Sequence, residues 1–140
     1  ANATLAGDPL EHLGGVTALG GYLYDPDPAV VRAGLVDLLA ESEGFGRLDS
    51  AEEYLTSDRV IDSPFVERFR VVADLPNQSR AIRDFFRNSG FGQLEIKCRH
   101  IPLQVEKLRR EIPLPGNDAG VLFLARLQGK ARAVVAVRES

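Results

Sequence analysis

The segment from Phe91 to Arg110, FGQLEIKCRHIPLQVEKLRR, predicts a short buried strand, a turn at Pro102 and a basic helix from about Leu103. Its strand alternates apolar and charged side chains: Leu94, Ile96 and Cys98 against Glu95, Lys97 and Arg99. Successive side chains of a strand point to opposite faces, so the apolar set is expected to face the core and the charged set to face solvent or a partner.

The composition indicates one compact globular domain. The chain has 140 residues, of which 44% are hydrophobic and 26% are charged, which is enough for a core without disulfides or metals. Its single cysteine cannot form an internal disulfide, which favours a reducing, cytoplasmic location. Because no apolar run approaches the roughly 20 residues of a membrane-spanning helix, we expect no membrane partner.

The charge is distributed unevenly along the chain. Up to Phe65, three basic residues stand against twelve acidic ones, which gives 3 − 12 = −9. From Val66 onward, fourteen basic residues stand against eight acidic ones, which gives 14 − 8 = +6, and the sum is the net charge of −3. A basic half is typical of a phosphate-rich partner, and the alternative is that the two halves attract each other in the folded domain.

The first part of the chain predicts a connector and then a helix. Residues 1–21 begin with Ala-Asn-Ala, which is typical of a tag remnant, and continue into a glycine-rich connector. The segment Tyr22–Ala40 predicts a helix with Asp27 as its cap and Pro28 at its first position, ending near Gly44 or Gly46. Ser50–Glu53 has the capping-box pattern and predicts a further helical turn.

The second part predicts alternating strands and helices. Phe65–Ala73 predicts a strand with Phe69, Val71 and Ala73 on one face, followed by a helix that buries Ile82, Phe85 and Phe86. A hairpin is expected from Gly120 to Arg138, with Gln128 and Gly129 near its turn. The fold class is therefore α+β: a mixed sheet of about four or five strands, with helices packed mainly on one face, ending in a β-hairpin.

Basic side chains form the candidate nucleic-acid interface. Arg80, Arg83 and Arg87 lie at i, i+3 and i+7 of a helix, so they project from one side, as either a solvated face or a contact to phosphates. The residues expected to contact nucleic acid are Arg80, Arg83, Arg87, Lys97, Arg99, Lys107, Arg109 and Arg110.

Residues with catalytic chemistry are few. Cys98 and His100 are two residues apart on one strand, but an inward cysteine is more often a small core residue than a nucleophile. Zinc requires further cysteine or histidine ligands, and only His12 remains. The chain also lacks a glycine-rich strand-turn-helix fingerprint for an adenosyl ligand. We therefore expect no catalytic residue, metal or cofactor within these 140 residues.

The segment GQLEIKCRHIPLQVEKLRR (92–110), followed by LPGNDAGVLFLAR (114–126), resembles the THUMP-like C-terminal domain of a bacterial family of class I S-adenosylmethionine-dependent methyltransferases. The upstream segments YLYDPDPAVVRAGLVDLL, YLTSD and SPFVERFRVVADLP resemble that family in the same order, so the similarity extends from about Gly21 to Val137. The sequence departs from the family pattern at Cys98, His100 and Ile101, where the family tends to have a basic residue followed by Arg-Gly-Val.

The resemblance implies a fragment of a longer enzyme. Residues 1–21 would hold the tag remnant and the linker or last element of a preceding methyltransferase domain, and residues 22–140 would form the THUMP-like domain. S-adenosylmethionine is implied for that preceding domain, which would be the partner of this one in the same chain. The resemblance also implies RNA recognition. The alternative is a protein-interaction or dimerisation module, for example of a homodimer, without nucleic-acid binding.

Overall fold

The computed structural model describes residues 15–100 and 105–139. The expected tag remnant, most of the connector, His12 and the turn at Pro102 lie outside the described residues. The helices are α1 (Pro28–Arg32), α2 (Val36–Glu43), α3 (Ser79–Arg87) and α4 (Val105–Glu111). The strands are β1 (Tyr22–Pro26), β2 (Gly46–Arg47), β3 (Leu55–Ser57), β4 (Val66–Pro76), β5 (Phe91–Cys98), β6 (Asp118–Leu127) and β7 (Lys130–Glu139).

The strands form one mixed sheet in the order β2-β3-β1-β4-β7-β6-β5. Strand β5 pairs with β6 in parallel, and the other ladders are antiparallel. The α+β class is confirmed, but the expected four or five strands were too few, because the described residues contain seven. Strand β1 was missed because Leu23 and Tyr24 are both fully buried, which removes the alternation of a half-exposed strand.

The cap predicted at Asp27 is confirmed, whereas the single long helix is not. The Asp27 carboxylate accepts a hydrogen bond of 2.8 Å from the Ala29 amide, and Pro28 occupies the first turn. Gly34, with a φ of +71°, separates α1 from α2, since a left-handed residue cannot continue a right-handed helix. Gly44 ends α2 with a φ of +85°, as the glycine near the predicted end suggested.

The helices cover one face of the sheet, here called the helix face. Ile82 and Phe86 of α3 and Leu108 of α4 pack against Leu122 and Val135 of the central strands. Helix α2 packs on Tyr24 of β1, and the pairing register places Tyr24 on this same side of the sheet. Within the described residues, no helix is both long and apolar enough to cross a membrane.

The opposite face, here called the loop face, is covered by irregular chain. Phe69 and Phe123 meet edge to face with ring centroids 4.8 Å apart. Tyr54 also contacts Phe123 edge to face, with a centroid distance of 5.0 Å. Leu48 and Leu23 complete this cluster. The segment 48–54 therefore takes the place of a helix layer here.

A β-bulge in β4 changes the face of its last residues. The pairing with β7 shifts register between Val71 and Ala73. Phe69 and Val71 pack on the loop face, while Ala73 joins the helix-face cluster. The prediction that all three share one face is therefore wrong, because the extra residue of a bulge reverses the alternation.

Strand β5 has the predicted alternation and lies at the edge of the sheet. Leu94, Ile96 and Cys98 pack on the helix face, as expected. Helix α4 begins at Val105 in the described part, and its Arg109 donates a hydrogen bond of 2.8 Å to the carbonyl oxygen of Leu94. A long side chain thus occupies one of the backbone acceptors of this edge strand.

Candidate nucleic-acid interface

Helices α3 and α4 bring two basic rows together. Arg83 Nη1 of α3 lies 3.2 Å from Glu111 Oε2 of α4, and both side chains are about one-third exposed. Arg80 and Arg87 flank Arg83 one turn away on α3, and on α4 Lys107 lies one turn before Glu111. The helical basic surface consists of Arg80, Arg83, Arg87, Lys107, Arg109 and Arg110.

Acidic neighbours neutralise this surface only partly. Asp84 lies 2.8 Å from Arg87 and 4.0 Å from Arg80, and these three side chains are more than half exposed. Helices α3 and α4 together carry six basic residues but three acidic ones, which are Asp84, Glu106 and Glu111. Exposed ion pairs contribute little free energy, so a phosphate group can compete for these arginines. Across residues 15–100 and 105–139, neither Lys107 nor Arg110 forms an ion pair.

Lys97 and Arg99, by contrast, lie on the loop face and share one carboxylate. Lys97 Nζ is 3.1 Å from Asp25 Oδ2, and Arg99 Nη2 is 2.7 Å from Asp25 Oδ1. Only 21%, 23% and 14% of the Lys97, Arg99 and Asp25 side chains are exposed. Burial lowers the pKa of Lys97, but the hydrogen bonds and negative charges of Asp25 and Glu95 together outweigh this and hold the pKa above the ordinary value. The eight predicted residues therefore do not form one surface.

The same carboxylate belongs to a larger group of charges, here called the sheet ion network. Its members are Asp25, Glu67, Glu95, Lys97, Arg99 and Arg138. Arg138 pairs with Glu67 and lies 3.0 Å from Glu95, which in turn lies 3.4 Å from Lys97. Because Asp25 belongs to the acidic half of the chain, these contacts show the two halves attracting each other at this position.

Two aromatic rings pack against the arginines of the sheet ion network. Arg99 lies over the Tyr54 ring at 5.3 Å from its centroid, and Arg138 lies over Phe69 at 5.1 Å. Burial raises the pKa of the Tyr54 phenol, and the nearby negative charge of Asp25 raises it further. Tyr54 is therefore a neutral packing residue at physiological pH.

The predicted capping box at Ser50–Glu53 is absent. Glu52 is fully buried, and its two carboxylate oxygens accept hydrogen bonds of 3.0 Å from the amides of Glu53 and Arg126. Asp49 likewise accepts from the Ala51 amide at 2.9 Å and the Gly129 amide at 2.6 Å. The acid that would close the box, Glu53, bonds His100 instead of the Ser50 amide, and the neighbouring carboxylates of Asp49 and Glu52 tie the segment to the distant β6–β7 hairpin.

Stability should depend on pH through Glu52. Burial raises the pKa of Glu52 above its ordinary value of 4.5, so the folded protein binds this proton more tightly than the unfolded chain. Its contribution to stability is then fully present below about pH 4.5 and is lost as pH rises through the raised pKa. We expect the unfolding free energy of the wild type to fall, relative to that of Glu52→Gln, over the pH range from about 4.5 upward. Urea unfolding of both proteins across this range measures the difference, and a pH-independent difference would contradict the assignment.

His100 lies in a group that sequence reasoning missed. Its Nε2 atom bonds the Glu53 carboxylate, and one ligand atom each of Glu52, Glu53 and His100 lie within 4.8 Å of one another. Imidazole and carboxylate groups are both ligands for divalent metals, whereas the expectation about zinc considered cysteine and histidine ligands. Cys98, by contrast, packs against the helix-face core.

Comparisons with known proteins identify the family of this chain and two similar curated sequences. Residues 66–138, just over half of the chain, match the family described as THUMP domain-like. The chain is 33% identical over 113 residues to an uncharacterized S-adenosylmethionine-dependent methyltransferase of Mycobacterium tuberculosis, in strains CDC 1551 and H37Rv. This alignment covers 81% of the chain and 31% of that protein.

A solved structure shares the fold. It is the crystal structure of a protein from Porphyromonas gingivalis W83 described as a methyltransferase, with a TM-score of 0.73 and 19% identity. The match covers 89% of this chain and 31% of that one. The chain thus spans about a third of the length of the proteins that it matches.

Proposed function

Because this chain belongs to the THUMP domain-like family, we propose that it is a non-catalytic accessory domain that positions an RNA substrate for an S-adenosylmethionine-dependent methyltransferase. The curated relatives carry that activity in their name and are about three times longer than the matched region. We assign the methyl donor to a part of the enzyme outside this chain, since the described residues contain no glycine-rich turn between a strand and a helix. We place the enzyme in the cytoplasm, where a single cysteine such as Cys98 stays reduced.

One observation carries the proposed RNA contact. The Arg83–Glu111 contact joins α3 to α4, so the basic residues of both helices lie on a continuous, largely exposed surface. Phosphate contacts of this kind give affinity and orientation without reading the base sequence. That property suits a domain whose task is to hold an RNA rather than to modify it.

Neutralising this surface should weaken RNA binding in a salt-dependent way. We expect Arg83→Ala/Arg87→Ala to reduce affinity for structured RNA and to lower the salt slope of binding by roughly 0.7–0.9 for each phosphate group that the variant no longer binds. Fluorescence anisotropy across a salt series measures both quantities. Arg32→Ala, an exposed arginine of α1, is the matched control and should leave affinity unchanged. No affinity for RNA, or equal affinity of both variants, would refute the proposal.

The alternative, a protein-interaction or dimerisation module, is favoured by the position of β5. This eight-residue strand is an edge of the sheet, and an edge strand is a template for pairing with another chain. A stable dimer in analytical ultracentrifugation, together with no affinity for RNA, would select the alternative. A monomer that binds RNA would select the accessory RNA-binding domain.

A further inference from the structure

A cavity lies at the tip of the β6–β7 hairpin, outside the helical basic surface. Its volume is about 520 Å³, which is within the range of small-ligand sites. Leu19 and Leu127 provide apolar lining, while Asp74, Gln128, Lys130 and Arg132 provide polar groups. Apolar walls with a few convergent polar groups are typical of a site for an organic ligand.

The hairpin turn holds one of these residues in an unfavourable conformation. Gln128 has a φ of 48°, and Gly129 follows with a φ of 85°. A tight hairpin turn that needs two positive φ angles favours asparagine or glycine at the first position, not glutamine. The turn is held by hydrogen bonds from the Gln128 amide to the Leu48 oxygen (2.8 Å) and from the Gly129 amide to Asp49 (2.6 Å). Strained residues held in this way are common where a side chain contacts a ligand.

The polar side chains around the cavity have the chemistry to bind a nucleotide. Arg132 Nε is 2.9 Å from Asp74 Oδ1, which fixes the guanidinium plane beside the apolar wall. A guanidinium plane can stack on a base, and the Gln128 amide can both donate and accept hydrogen bonds at a base edge. Lys130 is exposed, forms no ion pair within the described part of the chain, and can reach a phosphate.

The cavity lies near the start of α3, but on the face of the sheet opposite the helical basic surface. Arg132 of β7 pairs with Pro76, the last residue of β4. Helix α3 begins three residues later, at Ser79, and carries Arg80 in its first turn. The cavity is therefore at the end of the sheet from which α3 starts, on the loop face.

We propose that this cavity is a subsite for one unpaired nucleotide of the RNA. The base stacks on Arg132 and Leu127, Gln128 hydrogen bonds its edge, and Lys130 contacts its phosphate. This inference rests on the proposed function, and it adds that the domain distinguishes single-stranded RNA from a blunt duplex. Gln128 and Lys130 are exposed, and Leu127 is only partly buried against the loop-face cluster, so variants of Lys130 and Gln128 should fold.

The direct test uses nucleoside 5′-monophosphates and inorganic phosphate as separate probes. In amide NMR spectra of the full chain, we expect saturable shifts at residues 127–132 with nucleotides and much weaker ones with phosphate alone. Lys130→Ala should weaken nucleotide binding about tenfold, and Gln128→Gly, which also suits the positive φ, should remove differences between bases. No shifts at these residues, or equal shifts with phosphate alone, would overturn the proposal.

A second measurement separates this proposal from the function on which it rests. A blunt RNA duplex and the same duplex with a single-stranded extension are compared for the wild type, Lys130→Ala and Lys107→Ala. We expect the extension to raise affinity about tenfold for the wild type and Lys107→Ala, but not for Lys130→Ala. If the extension adds nothing, the subsite is refuted while duplex binding stands. If neither RNA binds, the RNA function fails, and the nucleotide titration still decides the cavity.

Discussion

Replacing Gly116 with alanine is expected to lower the unfolding free energy by about 3 kcal/mol, or the melting temperature by about 10 °C. The loop before β6 lies backbone to backbone on the start of β5: the Gly116 amide bonds the Phe91 oxygen at 2.9 Å, and the Asp118 amide bonds the Gly90 oxygen at 2.9 Å. A Cβ at Gly116 would overlap the Gly90 carbonyl group, which is backbone and cannot move aside as a side chain does. The loss of unfolding free energy has two sources: the steric overlap itself, and the breaking of these two hydrogen bonds when the segments move apart.

Thermal and urea unfolding of Gly116→Ala measure this effect. Gly92→Ala should behave alike, because its Cβ would overlap the Gly116 carbonyl. Gly21→Ala is the control, since a Cβ at that position meets nothing within 4 Å, and it should change stability by less than about 0.5 kcal/mol. A Gly116→Ala protein as stable as Gly21→Ala would show that the two segments do not pack so closely.

Asp25→Asn is expected to lower the unfolding free energy by about 2 kcal/mol. The Asp25 carboxylate is the counter-charge for both Lys97 and Arg99, and all three side chains are mostly buried. Removing this charge leaves two mostly buried cations. Among the acids of residues 15–100 and 105–139, Lys97 keeps Glu95 at 3.4 Å as an ion-pair partner, and Arg99 keeps none. The effect should exceed that of breaking an exposed pair, because water compensates for a missing partner at an exposed site but not at a buried one.

The matched control for this substitution is Asp62→Asn. Asp62 also pairs with an arginine, Arg68, at 2.6 Å, but the Asp62 side chain is 90% exposed, and the largely buried Arg68 keeps a second acidic partner, Glu139, at 3.2 Å. We expect the urea midpoint of Asp62→Asn to change little and the urea midpoint of Asp25→Asn to decrease clearly. Equal effects of the two substitutions would show that burial of the sheet ion network does not contribute to stability.

Several local features were predictable from the sequence. The alternation around Leu94 and Ile96 indicated the correct inner face of β5, because side-chain direction in a strand follows from backbone geometry alone. The cap at Asp27 and the turn at Gln128–Gly129 were correct for the same reason, since both depend on a few adjacent residues. The family resemblance was confirmed by the match over residues 66–138.

The candidate site was predictable only in part. The spacing of Arg80, Arg83 and Arg87 correctly placed them along one helix, but nothing local indicated that Glu111 would join this row to α4. The basic residues of the hairpin, Lys130 and Arg132, were overlooked because their strand pattern showed no sign of a cavity.

The sequence by itself thus determined the elements of the second half, the first helix cap and the family. Only the tertiary structure decided which charges are available to a ligand: Asp25, more than seventy residues away in the chain, neutralises Lys97 and Arg99. It also decided that Glu52 binds a distant hairpin and that the bulge in β4 moves Ala73 to the other face. The reason is that local patterns follow from bonds between neighbours, whereas the state of a charge depends on whatever the fold places within a few ångströms of it.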